Sequence, residues 1–435
     1  MGNIQMRNSK EAKNMKRRIR RHLDRQLKSL TRFLVKLTDP RHQSWVQIPL
    51  VDVLRACLFG LIANCRTPRN VEDLLRDMRP VHDGVPSVSD STMCSVARRM
   101  EPADVRNVLV GQIVDLHRSK ALAPASLPIS VATIDGKNLA TTSHDALGWG
   151  QPHHDKKTKK VTHHLVRAVR AGLTSAVGKP CLDQMPIPAD TNDMGVCRDF
   201  VDQLVATYGH LGLFELFDFD AGFCSKANAD HVHGLDYAYV FSLKDNNPDL
   251  LAEARRLLEP RLRGTPDAAS RERRDGSVIH RRLVRTTDIA GFHDWSHLRQ
   301  AWLVRQETYN AQGRVTKTED RYYLSNLPRN RLNAVHLLTL VRNHWGIEND
   351  VFNSLDVQWE EDAGVWCTKG HAVYVLGLLR LIAYNFVQHL RRRHLPPRHV
   401  RKHPELLAWR DLFVRIRSAL TASFAELDLL AAAGV

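Results

Sequence analysis

Few architectures accommodate the order of patterns between residues 129 and 243, where three short runs rich in β-branched residues give way to a regular alternation of strand and helix signals. Residues 129–134, 164–169 and 182–187 read as strands separated by turn-forming and charged stretches. Residues 196–208 then read as a helix, 214–220 as a strand, 226–233 as a helix and 237–243 as a strand. Successive strands followed by alternation predict an α/β unit with helices packed on a sheet. The proline-containing stretch 121–128 marks where this texture begins.

The flanks differ from this centre. Leu30, Phe33, Leu34 and Leu37 recur at helical spacing until Asp39-Pro40 stops them, and Val51, Leu54, Leu58 and Leu61 repeat the pattern. Asp90 is placed to cap a further helix through Met100. These helices either form a DNA-reading unit or simply pack together. Residues 251–330 break the alternation with charged sequence and then strand patterns at 278–287, 301–309 and 315–324, the last two joined by a Gly-containing turn at 310–313. From 329 to 355 a long helical pattern resumes through Leu332, Val335, Leu338, Val341, Trp345 and Phe352. The predicted organisation is a basic arm (1–28), a helical N-terminal domain (29–125), a core in two parts (126–250 and 331–395) around a β-rich insertion (251–330), and a basic, helical C-terminal tail (396–435).

Charge narrows the partner. The 435 residues hold 63 Lys and Arg against 47 Asp and Glu, a formal +16, which favours a polyanion. Residues 1–28 contain ten Lys or Arg against Glu11 and Asp24, so half of the surplus sits in that short segment. A second basic cluster runs from Arg391-Arg392-Arg393 to Arg398, Arg401 and Lys402. The seven cysteines are scattered and form no C-x-x-C pair, which argues against a disulfide framework or a cysteine zinc site and fits a reducing cytoplasm. No secretory signal is evident. The apolar window 371–390 contains Arg380, Asn385 and Gln388 and is predicted to be a buried helix, so no membrane partner is expected.

Three acids stand where chemistry could use them. Asp135 is read as the end of the first strand, Asp220 as the end of a later one, and Glu348 lies on the long C-terminal helix. A strand-end Asp beside a Gly presents its carboxylate at the open end of a sheet, and neighbouring strand ends bring two such groups close. A helix packed there can add a third. Hard carboxylate oxygens suit Mg²⁺ or Mn²⁺, and paired ions of this kind serve phosphodiester chemistry. Asp218 competes with Asp220, and Asp356, Glu360, Glu361 and Asp362 compete with Glu348.

The segments TIDGK, FDFDAG, DYAYVFSLKDN and HWGIEND followed by LDVQWEEDA resemble those of bacterial insertion-sequence DDE transposases of the insertion-sequence-four type, and the resemblance spans most of the chain. The helical stretch LTDPRHQSWVQIPLVDVLRACLFGLIA is similar to the domain preceding the catalytic core in one branch of them. The resemblance implies an α/β, RNase-H-like mixed sheet flanked by helices, with a β-rich insertion before the last acid and a helical N-terminal domain. It implies Asp135, Asp220 and Glu348 as catalytic, metal-binding residues, Mg²⁺ or Mn²⁺ as cofactor, and double-stranded DNA, both transposon ends and target, as partner. A homodimer on DNA in the bacterial cytoplasm, associated with the nucleoid, is implied as well. Alternatives are a related metal-dependent nuclease without strand transfer and an inactive DNA-binding remnant.

One departure from that family is visible. A Y-x2-R-x3-E-x6-K pattern around the last acid is common in the group, whereas this chain has Val341, His344 and Leu355 at the Tyr, Arg and Lys positions. Arg342 and His344 are the available replacements for the phosphate-binding function. Lys137 and Lys244 extend the expected DNA path, together with Lys156, Lys157, Lys159 and Lys160, and Trp345 is placed to stack on an unpaired base. His144, His153, His154, His163 and His164 do not make a zinc site on this reading, because adjacent residues of an extended chain point to opposite sides.

Overall fold

Helix-forming sequence fills the start of the chain: α1 (Gly2–Leu34), α2 (Leu50–Ile62), α3 (Pro68–Met78), α4 (Asp90–Arg99) and α5 (Pro102–Arg118). The computed structural model describes residues 2–81, 85–143, 148–362, 366–395 and 408–421, and of these not the side chains of residues 2–13 and 45. Helix α1 passes through residue 28 without a break and buries Ile19, Leu23, Leu27, Leu30 and Leu34 at helical spacing. The basic run expected as an arm is therefore, from residue 14 on, the outer side of a packed helix. At α4 the cap is Ser89 and not Asp90: the Ser89 hydroxyl accepts from the Thr92 N–H at 3.3 Å.

The centre is one ten-stranded sheet. Its elements in chain order are β1 (Val131–Thr142), β2 (Gly150–His154), β3 (Val161–Leu173), β4 (Cys181–Pro186), α6 (Asp193–Tyr208), β5 (Leu216–Phe219), α7 (Lys226–Gly234), β6 (Ala238–Leu243), α8 (Pro248–Leu258), β7 (Ala268–Arg274), β8 (Ser277–Thr286), β9 (Gln300–Tyr309) and β10 (Val315–Ser325). The strand order is β2-β3-β1-β5-β6-β10-β9-β8-β7, with β4 also paired to β3. β5 runs parallel to β1 and β6 parallel to β5, while β3, β4 and β10 join antiparallel. The expected mixed sheet flanked by helices is what the chain forms.

Two features of the sheet differ from the sequence reading. β1 does not end at Asp135: it continues to Thr142, paired with β3, and what ends at Ile134 is its parallel pairing with β5. The β-rich insertion extends the core's own sheet, because β10 pairs with β6 and carries β9, β8 and β7 on from it. β7 was read as merely charged sequence. Its Arg and Glu residues are those of an edge strand, where charge discourages pairing with another chain.

The long helical pattern after residue 329 is broken into α9 (Ala334–Gly346), a π-helical segment (Ile347–Phe352) and α10 (Asn353–Trp359). α11 (Ala372–His389) follows, then a second π segment (Leu390–His394), and α12 (Trp409–Leu420) lies in the C-terminal region. The basic residues Arg398, Arg401 and Lys402 fall outside the described residues. α11 is long and apolar enough to cross a membrane, yet it is 94% buried inside the protein, between α2, α4 and α5 on one side and β1 and β4 on the other. Burying a Leu or Val contributes about 1.5 to 3 kcal/mol, so this helix ties the N-terminal helices to the sheet through one shared core.

Candidate active site

Where β1 parts from β5, after Ile134, Asp135 has lost its strand neighbour on one side and is largely buried. Its Oδ1 accepts a hydrogen bond from the Gly136 N–H at 2.7 Å. Gly136 is required for space: a Cβ there would lie 2.1 Å from the Asp193 carboxylate, which is itself paired with Arg167. β5 delivers the second acid one residue past its end, where Asp220 starts a 3-10 turn over Ala221–Phe223. Lys244, just past the end of the adjacent β6, reaches Asp220 at 3.6 Å.

Glu348 is the second residue of the first π segment. A π turn holds an extra residue and so shifts every following side chain around the helix axis; such segments recur at functional sites. The same segment packs Ile347 against Gly172 of β3, and Gly346 leaves the room that Lys179 occupies. Glu348 itself is exposed. With Asp220, Lys244, His344, Trp345 and Asn349 it borders a cavity of about 400 Å³, whose far wall is Arg321 and Tyr323 of β10.

Electrostatics connect the three acids. The Asp135 carboxyl is pushed up to about 7, first by burial and next by the Glu348 carboxylate, with Asp220 adding in the same direction. The Gly136 N–H and His344 act against this rise without cancelling it. His344 is 5% exposed, and its Nδ1 lies 2.9 Å from Asp218 Oδ2. Burial opposes a charge on His344, but Asp218, followed by Asp135 and Asp220, outweighs it and holds the imidazole up to about 9. Carboxylates from two strands and a helix that feel one another's charge are oxygen donors of the kind a hard divalent cation takes.

Asp220 and Glu348 border one cavity with Lys244, His344 and Trp345, and Asp135, which does not line that cavity, lies near enough for both carboxylates to act on its charge. The structure separates the others. Lys137, expected on the DNA path, is buried and its Nζ binds both oxygens of Asp356 at 2.5 Å. Lys137 shares the sheet face of Asp135 but lies farther along β1, where Asp356 and Phe352 cover it, so it has no surface to offer a phosphate. Arg342 is paired with Glu272 at 3.0 Å and faces a neighbouring cavity. His344, offered as a phosphate ligand, is committed to Asp218, and the positions of the family's Tyr and Lys hold the buried Val341 and Leu355.

The competing acids have other partners. Asp218 is 1% exposed and accepts from Thr133 Oγ1 at 3.2 Å as well as facing His344, so it supports the site from behind. Asp356 holds Lys137, Glu360 pairs with Arg66, and Glu361 binds the Arg170 guanidinium with both oxygens at 2.6 and 2.8 Å. Neither these three nor Asp362 borders the cavity. Trp345 is half-buried, with the Arg321 guanidinium 3.7 Å from its ring centre. Arg321 escaped the sequence reading because only the pairing of β10 with β6 brings it there.

The family model described as transposase DDE domain matches residues 126–386, which contain all three acids and the whole β-rich insertion. The chain belongs to the DDE transposase family. Two Escherichia coli (strain K12) proteins, YbfL and the H repeat-associated YhhI, are each 22% identical over 379 residues, covering 83% of this chain and 91% of the relative. A piggyBac transposase synaptic complex with hairpin DNA is a solved structural relative at 13% identity and a TM-score of 0.39, covering 92% of this chain and 79% of that one. This DDE transposase is a DNA transposase, and its family implies a polynucleotidyl transferase role that depends on divalent metal.

Proposed function

We propose that this transposase cuts the ends of its element and joins them to target DNA, using Asp135, Asp220 and Glu348 to hold Mg²⁺ or Mn²⁺. The observation that carries this reading is the placement of Asp220 and Glu348 on one cavity, with Asp135 close enough behind it for their carboxylates to raise its own. When bound, divalent cations would supply positive charge at the scissile phosphate and make the attacking oxygen more acidic.

The chain's own residues position the reactants. Cutting exchanges a phosphodiester for a 3′-hydroxyl and a 5′-phosphate: the water oxygen bonds to phosphorus and the bond to the 3′-oxygen breaks. In joining, that 3′-hydroxyl attacks a target phosphodiester and one P–O bond replaces another, so no nucleotide fuel is consumed. Glu348, exposed at the cavity, is placed to accept the proton released by the attacking oxygen. Lys244 meets the backbone, His344 adds positive charge held in place by Asp218, and Trp345 with Arg321 offers a stacking platform for an unpaired base. The basic side of α1 contacts DNA through phosphates. Pairing two ends calls for a homodimer on DNA.

The test is cutting and joining of DNA carrying the repeats that flank the element in its own locus, with Mg²⁺ or Mn²⁺, by wild type and by Asp135→Asn, Asp220→Asn and Glu348→Gln. Wild type is expected to cut and join, and each variant to bind ends and do neither. Cutting without joining would favour a nuclease, and binding without either reaction an inactive remnant. A fully active single variant would remove that residue from the site.

A further inference from the structure

We infer that His22, His389 and His394 form a transition-metal site of the Zn²⁺ type that fastens the N-terminal helix to the end of α11. The site is independent of the carboxylate cluster and does not rest on its proposed role. His22 comes from α1, His389 is the last residue of α11, and His394 is the last residue of the second π segment.

Two observations converge on a ligand. The ring nitrogens available for coordination all lie within 4.8 Å of one another, and His389 Nε2 stands 3.1 Å from His394 Nε2. Two imidazole nitrogens on one tetrahedral zinc are about 3.4 Å apart, so small side-chain rotations suffice. His22 Nε2 is buried and has no hydrogen-bond partner in a residue only 5% exposed.

The backbone explains how two of the ligands meet. Residues five apart on an α-helix point about 140° away from each other. In a π turn, with its i to i+5 hydrogen bonds, they lie nearly above one another. The segment Leu390–His394 has that form, and it brings His394 beside His389. Among the described residues no other group of three such ligands lies as close; the exposed His153 and half-buried His163 stack as a pair across β2 and β3, and His144 lies outside the described residues.

The chemistry separates this site from the carboxylates. Three neutral imidazoles select Zn²⁺, Co²⁺, Ni²⁺ or Cu²⁺ over Mg²⁺, which prefers oxygen. The nearby charges, Arg25 and Arg393, are basic, so affinity comes from the nitrogen ligands alone.

Full-length protein would be stripped with a chelator, loaded with Zn²⁺, desalted and assayed for metal by mass spectrometry, and titrated in parallel with Co²⁺ while its ligand-field absorption is followed. The same is done with the Asp220→Asn/Glu348→Gln protein, with His394→Gln and with His22→Gln, folding being checked by circular dichroism. One zinc per chain is expected in wild type and in the carboxylate variant, with tetrahedral cobalt bands and a melting temperature raised by Zn²⁺. His394→Gln and His22→Gln should each bind at least about tenfold more weakly. Absence of retained zinc and of cobalt bands in wild type would overturn the inference, even if the histidine variants fail to fold. Retention undiminished in both folded histidine variants would overturn it too, as would loss in the carboxylate variant.

Discussion

Nδ1 of His344 sits 2.9 Å from Asp218 Oδ2 across the join between α9 and β5, and both side chains are almost wholly buried. Asp218 is two residues before Asp220 on the same strand, and His344 is four before Glu348, so the pair locks together the two elements that deliver the second and third acids. A buried charge pair of this kind defines position more than it adds stability. Its cost is recovered only while both partners remain.

The pair makes stability depend on pH. The folded His344 titrates at about 9 and the unfolded one near 6.5. A raised value means that the folded state holds the proton more tightly. The contribution is therefore complete below about pH 6.5 and is lost as pH rises through about 9. For a shift of this size it is on the order of 3 kcal/mol. Urea denaturation of wild type and Asp218→Asn should show the wild-type advantage at pH 6 and little of it at pH 9.5, and nuclear magnetic resonance of His344 in the variant should show its titration moved down. An unchanged difference across that range would mean that His344 is neutral in the fold.

Lys137 and Lys244 should behave oppositely. Lys137→Met leaves the half-buried Asp356 without its partner, which should cost about 1 to 3 kcal/mol in stability. The salt dependence of DNA binding should be left as it is. Lys244→Ala, at an exposed side chain beside Asp220, should leave the melting temperature within a degree or two and lower end affinity and the salt slope. Denaturation and binding measured over a salt series distinguish the two. A reduced slope for Lys137→Met would return that residue to the DNA path.

Much of this arrangement could be read from the chain. Asp135 and Asp220 stand in short local contexts, an acid closing an apolar, strand-forming run with a Gly one or two residues on, that are set by near neighbours and so are visible in one dimension. Glu348 was legible as a helical acid, but the π segment beneath it was not, since one extra residue per turn leaves the apolar spacing almost unaltered. The pairing of Lys137 with Asp356 spans 219 positions and has no local signature. Arg321 and the continuation of the sheet through β10 depend on strand pairing between distant segments, and the trio of His22, His389 and His394 joins the two ends of the chain. None of these long-range pairings leaves a local pattern.

Glu361 provides a test of the buried scaffold. Its two oxygens bind the Arg170 guanidinium, whose Nε and second terminal nitrogen also donate to Gln184 at 2.9 and 2.7 Å, and both charged side chains have no exposure. Replacing Glu361 by Gln keeps the shape and removes the charge, leaving Arg170 uncompensated beside the equally buried Arg380. A loss of about 3 to 5 kcal/mol is expected, read as a lower urea midpoint with an unchanged slope. The double replacement Arg170→Met/Glu361→Leu should recover part of it. A Glu361→Gln protein as stable as wild type would mean that water reaches this pair.

Metal binding at the carboxylates should compete with protons. The Asp135 carboxyl, raised to about 7 by burial and by its acidic neighbours, must give up its proton to become a ligand. Above pH 7 it is already ionised and affinity should be flat. Below pH 7 each unit costs about a factor of ten, because the fraction of ionised carboxyl falls by that factor. Calorimetric titration with Mn²⁺ from pH 5.5 to 8.5 should show this break in wild type, along with proton release that is absent at high pH. In Asp135→Asn binding should be weaker throughout and the break should vanish. Wild-type affinity that falls only below pH 5 would mean an ordinary Asp135 carboxyl, and with it the loss of the electrostatic link among the three acids.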